Sequence, residues 1–130
     1  MLNETSVNVD DNINLLFIKG QSKMQKFSDV LQTLDDASHV QRIELFNGDG
    51  SSAGVIDNKP GSHGSVKVYY HLFRMYGEIS LDAAVEGLSL FAEHTGDAEN
   101  CPGKHPNVDR LLDLLEDEQA LSMKVTEMAV

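Results

Sequence analysis

With 130 residues, 41% of them hydrophobic, the chain suits one core, and no apolar run approaches the roughly 18 residues that a membrane span needs. Its 21 acidic against 10 basic side chains, a formal charge of −11, would repel a phosphate backbone, which disfavours nucleic-acid binding. Cys101 stands alone, so no intramolecular disulfide can form, and the acidic, amide-rich opening lacks the basic segment of a secretory signal; we expect a cytoplasmic protein with no membrane association.

Residues 1–22 are turn-like apart from the alternation Ile13, Leu15, Phe17, and read as an N-terminal arm or an added strand ahead of a single domain over 23–130. From Ser22 to Asp36, Met24, Phe27, Val30, Leu31 and Leu34 recur at three- and four-residue steps, which predicts a helix of about four turns with one apolar face. Next, Ile43 and Leu45 alternate before Asn47-Gly48-Asp49-Gly50, and Val55 and Ile56 follow. Glycine in these pairs supplies the positive φ of tight turns, so an antiparallel hairpin is predicted over about 41–57.

After the breaker KPGSHGS (59–65), the stretch to Gly77 fits either period. Its length, with Ser65 as a cap and Gly77 as a stop, favours a helix. Ser80 is placed to cap another, reaching His94, with Leu81, Ala84, Val85, Leu88 and Phe91 on its inner face. Asn107 is placed to cap a third, with Asp109 at the positive end of its dipole. Leu121, Met123 and Val125 then alternate as a strand over about 120–127. The order predicts an α+β fold: a small antiparallel sheet, made of the hairpin and the C-terminal strand, packed against three or four helices.

The segments FAEHT (91–95) and PGKHPNVDRLL (102–112), with IELFNGDG (43–50), NKPGS (58–62) and YGEIS (76–80), carry a resemblance to a family of short bacterial proteins of unknown function. It spans roughly residues 25–127. The resemblance implies a bacterial cytosolic domain and brings no activity with it.

Chemistry concentrates in two places. Between Phe91 and Leu112 lie Glu93, His94, Asp97, Cys101 and His105, all able to ligate a metal, with His94, Cys101 and His105 the candidates. Their spacing matches no zinc pattern, so a capped turn is the simpler expectation and no cofactor is expected. His105 is also a potential base for Cys101, but nothing in the spacing brings the two together. Around His63, the serines Ser62 and Ser65 build no nucleophile elbow.

The second feature is a segregation of charge. From Asn58 to Gly77 there is no carboxylate, yet Lys59, His63, Lys67, His71 and Arg74 all fall there. Lys67, His71 and Arg74 share a helix face below a glycine-rich turn, a layout that suits an anion, or else a cationic stripe that pairs with acidic residues near Glu116 or with a second subunit. The cluster Tyr69, Tyr70, Phe73 and Tyr76 suits a core, or a dimer interface where exposed.

The leading expectation is a binding module in which the loops 59–65 and 94–107 meet around a small anionic ligand, contacted by His63, Lys67, His71, Lys104, His105 and Arg110. An alternative is a protein–protein interaction or homodimerising module acting through the arm and a sheet edge. Another is a small hydrolase with His94 or His105 as base and Asp97 or Asp109 as its orienter, although no recognised catalytic motif is present.

Overall fold

A computed structural model describes residues 25–129 of the chain. The arm or added strand expected over residues 1–22 lies outside them. In chain order the elements are α1 (Phe27–Thr33), β1 (Val40–Phe46), β2 (Ser52–Asp57), α2 (His63–Tyr76), β3 (Glu78–Ile79), α3 (Leu81–Leu90), α4 (Glu93–Asn100), α5 (Pro106–Asp117) and β4 (Leu121–Glu127). The fold is α+β, with five helices and an antiparallel four-stranded sheet in the order β2-β1-β4-β3.

The predicted hairpin forms: Ile43 lies opposite Ile56, and Gly50 adopts φ 89° in the turn that joins β1 to β2. β4 inserts on the other side of β1, with Val125 opposite Ile43 and Met123 opposite Leu45. A register irregularity between Val40 and Arg42 breaks the strict alternation, so that Val40 and Ile43, three apart, are both buried. The two-residue strand β3 was not anticipated; two residues are too few to show a period.

One face of the sheet carries the core. Val40, Ile43, Leu45, Ile56 and Leu121 from the strands join Val66, Tyr69 and Leu72 of α2, Ala84 of α3, and Val108, Leu111 and Leu114 of α5. Gly87 belongs to this packing, because a Cβ there would lie 2.8 Å from Leu111 Cδ1 and 3.0 Å from Leu72 Cδ1. The inner stripe of α3 is therefore Ala83, Ala84 and Gly87, and the expected Leu81 and Val85 are exposed. Small residues, rather than the largest apolar ones, face α5 because the two helices approach closely.

The helix ends correct several expectations. α1 runs only from Phe27 to Thr33, two turns instead of four, and breaks where Leu34 turns extended; residues 22–24 of the expected helix lie outside the described residues. α2 starts at His63, with Ser62 rather than Ser65 in the N-cap position, while Gly77 closes it at φ 78° as expected. Ser80 caps α3 by accepting the Ala83 N–H at 3.1 Å. The helix expected to continue to His94 stops at Leu90, because Ala92 turns to φ 54°, and the chain restarts as α4 within the supposed loop. α5 starts two residues early with Pro106 at its first turn, and Asn107 lies inside the helix instead of capping it. No helix among the described residues is long and apolar enough to cross a membrane.

Candidate functional site

The two chemistry-bearing stretches meet. Gly61 to Ser65, at the start of α2, and Lys104 to Val108, at the start of α5, line one cavity of about 570 Å³, with His94 of α4 and the apolar side chains Phe27, Leu31 and Phe91. Gly64 makes the approach possible: a Cβ there would lie 2.9 Å from Phe27 Cε2 and 3.2 Å from Leu31 Cδ1. Phe27 stacks on Phe91 at 5.4 Å and seats α1 over the start of α2, while its own amide donates to Glu93 Oε1 at 2.7 Å. That bond holds the Glu93 carboxyl below the usual carboxylate range.

Neither helix start has a side-chain cap. Ser62 Oγ donates instead to the carbonyls of Asp57 and Lys59, at 2.5 and 3.2 Å, and His105 caps nothing. The first-turn amides of α2 and of α5 thus have no side-chain acceptor, and no carboxylate stands among the residues that line the cavity. Partial positive charge from two helix ends converges there.

Each of two histidines is held from outside. Asn58 donates through Nδ2 to the carbonyls of Ala37 and Val40 at 3.1 and 2.8 Å, which fixes its amide and leaves Oδ1 to accept from His63 Nδ1–H at 2.7 Å. Asp97 accepts from His105 Nε2–H at 2.7 Å and from Lys104 Nζ at 3.0 Å. Those two bonds, the histidine's first, hold the Asp97 carboxyl low, and Asp97 in turn raises the Lys104 ammonium. His94 packs edge-on against Phe27 at 4.8 Å, with its ring 5.0 Å from that of His105.

Of the six expected ligand contacts, the fold brings His63, Lys104 and His105 to the cavity and leaves the other three elsewhere. Lys67 Nζ donates to the Leu31 carbonyl at 2.6 Å and so anchors α1 to α2. His71 pairs with Glu86 at 2.6 Å, and Arg74 with Asp35 at 2.8 Å, so the cationic stripe finds its acids on α3 and after α1 rather than near Glu116. Arg110 reaches the Ala53 carbonyl at 2.9 Å and, through Nη1, Tyr69 Oη at 3.1 Å and Asn107 Oδ1 at 3.0 Å. Tyr69 Oη donates to the Asn107 carbonyl at 2.6 Å, and this network pins the first turn of α5 to the sheet. Arg110 lines a different cavity of about 420 Å³, with Asp109, Asp113 and Asp117, where the charge has the opposite sign.

Asp97 and His105 are the candidate catalytic residues that the fold pairs. Asp109 instead accepts the Gly103 amide at 3.0 Å. Cys101 is exposed and does not line the cavity, and among the described residues no group of three or more His, Cys, Asp or Glu side chains is placed to hold a metal ion. Asn58 and Phe27 were missed as site residues. The one signal for Asn58 was its place five residues before His63, at the edge of the KPGSHGS turn.

Residues 27–125, from the start of α1 into β4, match the family described as "Uncharacterized protein conserved in bacteria (DUF2322)". The chain belongs to this family. The match spans both walls of the cavity and both histidine dyads. No curated protein and no solved structure matches the chain.

Proposed function

We propose that the cavity between the starts of α2 and α5 binds a small anionic ligand in a cytoplasmic bacterial protein. The reading is carried by one observation: two uncapped helix starts open into a cavity lined by His63, His94, Lys104 and His105 and by no carboxylate. A volume of about 570 Å³ suits a metabolite-sized molecule. His63, Lys104 and His105 contact the anion in this reading, while Lys67, His71 and Arg110 hold the frame around it. Titration with inorganic phosphate, followed by amide NMR, tests it. The expected result is saturable shifts at the His63, Gly64, Ser65 and Asn107 amides, weakened at least tenfold in Lys104→Glu; shifts scattered over the surface would refute it.

A second reading is homodimerisation. It is favoured by Leu81 and Val85, one turn apart on α3 and 41% and 57% exposed, beside the short edge strand β3. Leu81→Lys with Val85→Lys should then convert a dimer to a monomer in light scattering; a wild type that is monomeric at high concentration removes the idea.

A further inference from the structure

We infer that this cavity is hydrolytic toward small phosphate esters, with His63 as general base and His105 as general acid. The inference rests on the anion site proposed above and adds to it a reaction and two roles.

The roles follow from which ring nitrogen is already used. Because the Asn58 amide is fixed by the two carbonyls it donates to, its Oδ1 can only accept, and the proton must sit on His63 Nδ1. Neutral His63 therefore carries its lone pair on Nε2, for which no partner exists among the described residues. Asn58 lines a recess of about 350 Å³ that His63 also borders, and it does not line the main cavity. With Nδ1 held by Asn58, Nε2 is the ring nitrogen left for a molecule in the cavity that His63 lines.

His105 is the complement. Asp97, which likewise stays outside the lining, takes the Nε2–H, so Nδ1 is the nitrogen left to exchange a proton. The partner of His105 is a carboxylate that holds the Nε2–H end of its ring, and the partner of His63 is an amide oxygen that holds its Nδ1–H end. In the inferred reaction His63 accepts and His105 gives.

The substrate class follows from the lining. A carboxylic ester is neutral and would not need Lys104 and two helix starts, whereas a phosphoryl group places its non-bridging oxygens among such donors. Ser62 Oγ is held by the Asp57 and Lys59 carbonyls, and Cys101 lies outside the lining, which leaves Ser65 Oγ and water at the cavity; water is assigned as the nucleophile, since it gives hydrolysis in one step without a covalent intermediate. His63 Nε2 takes a proton from that water as its oxygen bonds to phosphorus. The bond from phosphorus to the ester oxygen breaks with its electron pair on that oxygen, which receives the proton of His105 Nδ1. Solvent then takes the proton from His63 and returns one to His105. The net reaction is ester and water to phosphate and alcohol, or to a monoester and alcohol from a diester.

The test uses mono- and diesters of phenol and of p-nitrophenol, after phosphate binding has been measured on the same sample. Wild type should hydrolyse at least one pair. His63→Gln should slow both leaving groups alike, by about 10²–10⁴. His105→Gln should slow the phenyl ester at least tenfold more than the p-nitrophenyl ester, because the poorer leaving group needs the proton. Added imidazole should partly restore His63→Ala. Should a variant fail to fold, the wild-type pH profile decides: two limbs for the phenyl ester, with the alkaline limb weakened for p-nitrophenyl. Bound phosphate with no turnover of any ester would overturn the catalytic inference and leave the anion site standing. Equal losses on both leaving groups in His105→Gln, or a profile without two limbs, would overturn the role of His105. If phosphate does not bind, both readings fall.

Discussion

Tyr69 is fully buried, and burial pushes its hydroxyl up to about 12, with Arg110 pulling the other way. An acid whose folded value is raised favours folding below its ordinary value near 10 and loses that contribution as the pH climbs from there toward 12. Tyr69→Phe should cost about 1–3 kcal/mol in denaturant unfolding at neutral pH, since the Asn107 carbonyl loses its donor and Arg110 an acceptor. The variant should also show a smaller decline than the wild type above about pH 10, where the raised Tyr76 and Lys104 still contribute. Asp97 has the opposite sign. Its carboxyl is held low by His105 and Lys104, so its contribution is present above the ordinary Asp range and vanishes as the pH falls through its lowered folded value. The Tm gap between wild type and Asp97→Asn should therefore stay open at neutral pH and close on acidification below about pH 4. The sequence exposed the ingredients of the Asp97 cluster, because His105 and Asp97 lie only eight positions apart along the chain. It hid Tyr69 with Arg110 and His63 with Asn58, since the first pair is 41 positions apart and nothing in the second distinguishes a turn asparagine from one that orients a ring.

At the scale of elements, local chemistry set some boundaries and packing set others. Ser80 and Gly77 act as their residue types suggest, because a hydroxyl that accepts a first-turn amide and a glycine at positive φ are complete within one turn of chain. Ser80→Ala should cost about 1 kcal/mol, read by chemical denaturation. The break between α3 and α4 has no such signal. Ala92 takes φ 54°, a conformation glycine would announce, while Phe91 is buried and Thr95 Oγ1 bonds the Leu88 carbonyl at 2.5 Å. A continuous helix would satisfy the same apolar spacing, so only contacts with α1 and α5 choose the break. Gly87 shows the converse. Alanine is the better helix former by about 1 kcal/mol. Even so, Gly87→Ala should destabilise the protein by a net of about 1 kcal/mol, because its methyl would press on Leu111 and Leu72, both fully buried.

For the whole molecule, the anion site predicts a linkage. Phosphate at 100 times its Kd should add about 2.7 kcal/mol of stability and raise the Tm by several degrees. Lys104→Glu, binding at least tenfold more weakly, should cut the rise to about half or less, with little change in the Tm of the free protein, since Lys104 is 60% exposed at the side chain. The overall charge of −11 would make the proposed site local, because the molecule at large repels anions and only the cavity between the two helix starts is lined by cationic and imidazole side chains without a carboxylate. Composition, period and turn chemistry were enough for the α+β class, the hairpin, the closing strand and the stop of α2, because each depends on residues that are close in sequence. The meeting of the 59–65 and 94–107 stretches, the withdrawal of Lys67, His71 and Arg110 into structural pairs, and the tautomers of His63 and His105 were settled by tertiary contacts. Residues from four helices and the segments between them converge at that cavity, and which of them meet depends on helix packing across the sheet, for which a linear pattern carries no distance.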